Sequence, residues 1–227
     1  MSLLLRKNKL WGRIEEAILE VIELAIDLFL SKRNFPIHED DLNRKFYFCL
    51  VSANYQLQKQ NRGLESPPFY EGNNQPSSDD VQRASREAKR PDFQWSITDI
   101  SEPDPEKSSK QFVLECKRLG KPVGTWILNE NYVKHGIKRF IDKDHGYAHG
   151  VESSAMLGYI QDMDVTNILD AINREVKLMK QPLINNQINR SNHIQLSHRL
   201  SKSFPLNEIE VKHIWIEIPL NIEELDQ

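Results

Sequence analysis

The chain has 227 residues, 39% of them hydrophobic and 28% charged, which suits one large domain with a packed core under a heavily charged surface. A formal net charge of −3 excludes a basic field over the whole molecule, though a local basic groove around an acidic site remains compatible with it. Two cysteines, Cys49 and Cys116, exclude a disulfide framework, and no CxxC or Cys/His cluster points to structural zinc, so a reducing compartment is expected.

In chain order, residues 11–31 read as an amphipathic helix. Ile14, Ala17, Ile18, Val21, Ile22, Ala25, Leu28 and Phe29 recur at three- and four-residue spacing, with Glu16, Glu20, Glu23 and Asp27 on the other face. Those carboxylates exclude a membrane span from Ala17 to Leu30. No small-residue cleavage site follows the opening Met-Ser-Leu-Leu-Leu-Arg, so a soluble, cytoplasmic protein is expected. After the break at Pro36, a second helix is predicted from Glu39 to about Gln60, burying Leu42, Phe46, Cys49, Leu50 and Ala53. Glu39, Asp40 and Asp41 fall in its first turn. Residues 61–80, rich in Pro, Gly, Asn and Ser, read as a long mobile loop.

The period then changes to alternation. Residues 93–98 and 111–117 are predicted strands, joined as a hairpin by the loop 99–110. A helix is expected over 129–142, a buried strand over 155–160, a helix over 165–180, and late strands over 193–200 and 211–218. The whole reads as a single α/β domain built on a central mixed β-sheet flanked by helices. Its helical part is 1–60 and its sheet core 90–218.

Chemistry concentrates in the hairpin. Glu115 and Lys117 are two apart on a strand and so share a face, while Phe112, Leu114 and Cys116 turn to the core. Cys116 is then a small buried apolar side chain. The Glu-x-Lys triplet also occurs at Glu87/Lys89, Glu175/Lys177 and Glu210/Lys212. The first and third lie in helical patterns, where i and i+2 do not face the same way. The fourth opens a strand without a suitable upstream acid. Two Pro-Asp pairs precede Glu115. Asp104, between prolines, reads as a turn residue. Asp92 begins a strand, and folding the hairpin near residues 104–105 brings it beside Glu115 and Lys117.

On the residues RPDFQW at 90–95 and FVLECKRL at 112–119, the chain resembles the PD-(D/E)xK nuclease superfamily, with its restriction-endonuclease-like fold. The resemblance extends less specifically to YVKHGIKRF at 132–140 and AMLGYI at 155–160. It implies that Asp92, Glu115 and the backbone carbonyl of Cys116 ligate Mg2+ or Mn2+, and that Lys117 orients or helps deprotonate the attacking water and stabilises the phosphate. An early-helix acid often joins such a set, here Glu39, with Asp40 or Asp41 as alternatives. The reaction implied is hydrolysis of DNA phosphodiesters, endonucleolytic rather than exonucleolytic. Restriction or anti-phage defence are the superfamily's commonest settings.

Arg118, Lys121, Lys134, Lys138 and Arg139, with His135, form a candidate phosphate-contacting rim. His145 and His149, near Asp142 and Asp144, are flanked by glycines and read as a loop rather than as metal ligands. His193, His198 and His213 read as surface or satisfied core positions. Aromatic packing accounts for Trp11, Trp95, Trp126 and Trp215. The alternative function is a catalytically inactive nuclease-fold scaffold or sensor, with the N-terminal helix packing on a protein partner or a second copy. RNA or single-stranded ends in place of duplex DNA also stay open.

Overall fold

Two long helices open the chain on either side of Pro36. The computed structural model describes residues 3–76, 80–100, 102–148, 150–202 and 206–219. Helix α1 runs Leu3–Leu30, starting before the predicted residue 11, and α2 runs Glu39–Gln58. Their apolar stripes face each other and the sheet. Phe29, for example, is fully buried against the rings of Phe35, Phe46 and Tyr159. Each such side chain contributes about 1.5–3 kcal/mol of burial. Among the described residues no helix is long and apolar enough to cross a membrane.

The strands are β1 (Phe69–Tyr70), β2 (Phe93–Thr98), β3 (Ser109–Leu119), β4 (Ser153–Ile160), β5 (Asn185–Asn189), β6 (Ile194–Ser201) and β7 (Glu208–Glu217). They form one sheet of seven in the order β1-β2-β3-β4-β7-β6-β5. The central β3, β4 and β7 are parallel, and antiparallel pairs extend the sheet on both sides. Helices α3 (Arg83–Glu87), α4 (Leu128–Lys134) and α5 (Val165–Leu178) complete the fold. The expected α/β class, with a mixed sheet, flanking helices and an N-terminal helix, is what the structure has.

Side-chain alternation separates two cores. Phe112, Leu114 and Cys116 of β3, with Ala155, Leu157 and Tyr159 of β4, pack under α1 and α2. Val113 and Leu119 face the opposite side, with Met156, Trp215, α4 and α5. Glu115 and Lys117 fall on this second face by the same alternation.

Several expectations change. The segment 61–80 is not bare loop: it contains β1, paired to β2. Asn54 clamps Leu64 through its main-chain N–H and carbonyl, and Glu71 N–H donates to the Asp92 carbonyl at 3.0 Å. The helix expected over 129–142 stops at Lys134, and a separate tight turn covers Ile137–Phe140. Gly136 is the cause. A Cβ there would stand 2.3 Å from the Met156 methyl, so the backbone presses onto the sheet and leaves the helical path. Strand β5, with polar Asn and Gln, and the short α3 were not foreseen.

Candidate active site

The site forms where β3 outruns its neighbour. Strand β2 begins only at Phe93, which pairs with Leu114. The hairpin therefore folds about one residue earlier than expected, and Glu115–Leu119 have no β2 partner. Edge N–H groups need acceptors. Cys116 N–H donates to Asp92 Oδ2 at 2.7 Å, and Arg118 N–H donates to Glu39 Oε2 at 3.1 Å. The open edge thus holds two carboxylates from distant parts of the chain: one at the start of β2, one at the first turn of α2.

Between them stands Lys117. Its Nζ donates to Glu39 Oε1 at 2.8 Å and to the Cys116 carbonyl at 2.6 Å. It also lies 3.0 Å from Glu115 Oε1 and 3.8 Å from Asp92 Oδ2. Arg139 pairs with the same Glu115 oxygen. Three carboxylates and two cations therefore share one small volume. Glu115 is fully buried, and its Oε2 has no hydrogen-bond partner.

The electrostatics follow. Burial, with Glu115 and Glu39 nearby, pushes the Asp92 carboxyl up to about 8. Burial alone would lower the Lys117 ammonium, but Glu115, Asp92 and Glu39 reverse this and hold it well above its ordinary value. Cys116 is buried and its thiol is raised, as suits an inert core position.

No family model, no curated protein and no solved structure matches the chain. Among the described residues no group of three His, Cys, Asp or Glu side chains is set to hold a metal ion. The Lys117 ammonium stands among the three acids. Chemically the set still fits a divalent cation. Oxygen donors converge, one buried oxygen lacks a partner, and Asp92 stays protonated near neutrality without more positive charge.

A cleft of 640 Å³ opens onto this cluster, lined among others by Glu39, Asp40, Asp41, Lys117, Arg118 and Arg139. The expected basic rim divides. Arg118 and Arg139 line the cleft, with Arg118 Nη1 donating to the Ile37 carbonyl at 3.1 Å. Lys138 is exposed beside His135, whose imidazole is lowered by burial and by Arg139, Lys117, Lys134 and Lys138. Lys134 pairs with Glu130 and approaches Glu175 on α5 at 3.9 Å. Lys121 lines a separate groove with Asp162 and Asp170, its N–H bound to Asp162 Oδ1 at 2.8 Å. Lys121, Lys134 and Lys138 are therefore not part of the cleft's lining.

The rival motifs are accounted for. Asp104 accepts from Glu106 N–H and caps a tight turn. Lys212 pairs with Glu15 at 2.9 Å. His145 sits in a turn before Gly146, which has φ 61°, and lies 3.5 Å from Asp142; His149 lies outside the described residues. His198 and His213 are buried and hydrogen-bonded. Three tryptophans are packed as expected, but Trp126 is not. It is 61% exposed and lines the cleft.

Proposed function

We propose that the chain is a metal-dependent nuclease of the PD-(D/E)xK type, with a restriction-endonuclease-like arrangement of the sheet, acting on DNA phosphodiesters. The observation that carries the reading is the convergence on Lys117 Nζ of Glu39, Asp92 and Glu115 from α2, the start of β2 and β3, within 2.8–3.8 Å. Acids drawn from such separate elements serve no packing purpose, and crowding like charges in a buried site is costly.

Asp92, Glu115 and the Cys116 carbonyl would hold Mg2+ or Mn2+, with Glu39 joining them. When bound, the ion would supply positive charge for the phosphate and acidify water. Lys117 would donate to the attacking water and the phosphate oxygens. Arg139 and Arg118 steady the substrate's charge from the cleft wall. In the net reaction the water oxygen bonds to phosphorus, one P–O ester bond breaks, and a proton reaches the leaving oxygen.

Mg2+-dependent cleavage of plasmid and linear DNA is expected of the wild-type chain. Lys117→Ala or Asp92→Ala should lower it by about 10²–10⁴-fold. Cleavage that survives both substitutions rejects the site.

One observation favours a second reading, a catalytically inactive scaffold or sensor that keeps the acids. Lys117 and Arg139 already neutralise much of the cluster's charge. That reading predicts no cleavage with any divalent ion and no Mn2+-induced rise in melting temperature.

A further inference from the structure

We infer that Trp126 is a base-stacking platform, and that the cleft therefore takes a nucleic-acid strand with at least one unpaired nucleotide. This rests on the nuclease reading of the same cleft and adds to it the state of the substrate.

Trp126 closes a tight hairpin between β3 and α4. Val123 N–H donates to the Trp126 carbonyl at 2.9 Å, and Trp126 N–H donates back to the Val123 carbonyl at 3.0 Å. Gly124 takes a left-handed φ of 59° at the turn. The ring is thus carried on a pinned backbone, not on a slack loop. Of the four tryptophans Trp95 and Trp215 are buried and Trp11 is partly buried, while Trp126 is 61% exposed. Val123 and Ile127 beside it are also exposed. A large apolar ring kept in water at the mouth of a polar cleft marks a contact surface.

The charges of the cleft say what that contact must supply. Lys117, Arg118 and Arg139 line it, but Glu39, Asp40 and Asp41 offset them one for one, and the whole chain carries −3. Phosphate attraction is weak here compared with a basic groove. A sequence-tolerant, uncharged term is needed to hold a strand over the acids, and stacking of a base on an indole provides one. A base inside a duplex has both faces covered by its neighbours, so the ring selects an unpaired or flipped-out nucleotide.

The test uses the full chain with Ca2+ replacing Mg2+. A short single-stranded DNA is titrated while tryptophan emission is followed, and a dye-labelled copy is followed by anisotropy. Quenching is expected, and Trp126→Ala should weaken binding by roughly 5- to 150-fold, with Trp126→Phe recovering much of the loss. A duplex of the same sequence closed at both ends should bind more weakly and quench less. The inference is overturned by single-strand binding without quenching, by binding that Trp126→Ala leaves unchanged, by equal quenching from the closed duplex, or by no binding. Mg2+-dependent cleavage is scored separately. Cleavage without the Trp126 effect removes the stacking subsite and leaves the nuclease reading standing. The Trp126 effect without cleavage retains the subsite and removes the nuclease.

Discussion

Two buried polar networks lie on the same face of the sheet, and they are built on opposite terms. On β6 and β7, Trp215 Nε1–H donates to the Tyr132 hydroxyl at 3.0 Å, and that hydroxyl donates to His213 Nδ1 at 2.7 Å. His213 Nε2–H then faces His198 Nδ1 at 3.4 Å, and His198 Nε2–H donates to the Pro182 carbonyl at 2.6 Å. A carbonyl only accepts and an indole only donates, so the protons of this chain have one arrangement with both imidazoles neutral. Every group is satisfied and no net charge is buried. Around β3, by contrast, three acidic side chains crowd two cations and Glu115 Oε2 is left without a partner. The first network is what a core does with polar groups when only stability matters. The second breaks local rules without any gain in packing, which is where function is expected.

The sharpest way to break this comparison is to neutralise Asp92. With its carboxyl pushed up to about 8, Asp92 takes up a proton on folding at neutral pH. The folded value lies above the unfolded one, so its contribution to stability is fully present below about pH 4 and is lost as pH rises toward 8. At pH 7, in chelator, the cost reaches about 4 kcal/mol. Asp92→Asn keeps an acceptor for the Cys116 N–H and needs no proton. It should raise stability by about 1–4 kcal/mol in urea unfolding while abolishing cleavage. A variant no more stable than wild type would mean that the acids are not in conflict, and the contrast between the networks would fail.

The histidine network should respond with the opposite sign. Burial lowers His198 to about 4 and holds His213 well below its ordinary value. Both states are neutral above about pH 6.5. Below it the unfolded chain binds protons that the folded chain refuses, so stability falls as pH drops from about 6.5 toward 4. His198 alone accounts for about 3 kcal/mol over that window. His198→Gln retains a donor for Pro182 and an acceptor for His213 Nε2–H. It should flatten the acid limb measured by urea midpoints, and a limb of unchanged slope would show that these imidazoles carry no such burden.

How much of this was legible in the sequence follows from the range of each interaction. Alternation along β3 is local, so the shared face of Glu115 and Lys117 and the buried Cys116 could be read directly. The hairpin placed Asp92 to within about one residue, because a short connection limits the possible registers. Glu39 is named only through the resemblance, as one of three helix-start acids in a row with Asp40 and Asp41 as alternatives. What singles it out is the Arg118 N–H, which lies beyond the reach of β2 and donates to Glu39 Oε2, and that depends on where β2 begins. Gly136 hid the break after α4, since a glycine's close approach to Met156 is tertiary. Trp126 was read as packing because tryptophan usually packs. Its signal was the short Val-Gly-Thr-Trp stretch, which fits a hairpin turn with the ring outside any apolar period.

The smallest expected effect concerns the basic rim, where sequence neighbours separate in space. Lys134 and Arg139 are five residues apart and both cationic, yet Gly136 ends the helix between them and sends them to different surroundings. Lys134 is half exposed and engaged with Glu130 one helical turn away, a pair of the kind that contributes only a few tenths of a kcal/mol. Arg139 reaches the buried Glu115 and lines the cleft. If the chain is the proposed nuclease, Arg139→Ala should lower cleavage by about tenfold or more, because Glu115 loses one of its two cations and the cleft a positive charge. Lys134→Ala should stay within about twofold of wild type at moderate salt. Equal losses from the two would mean that phosphate is held by a diffuse positive field around His135, and the distinction between a built site and its charged surroundings would give way at this edge of the cleft.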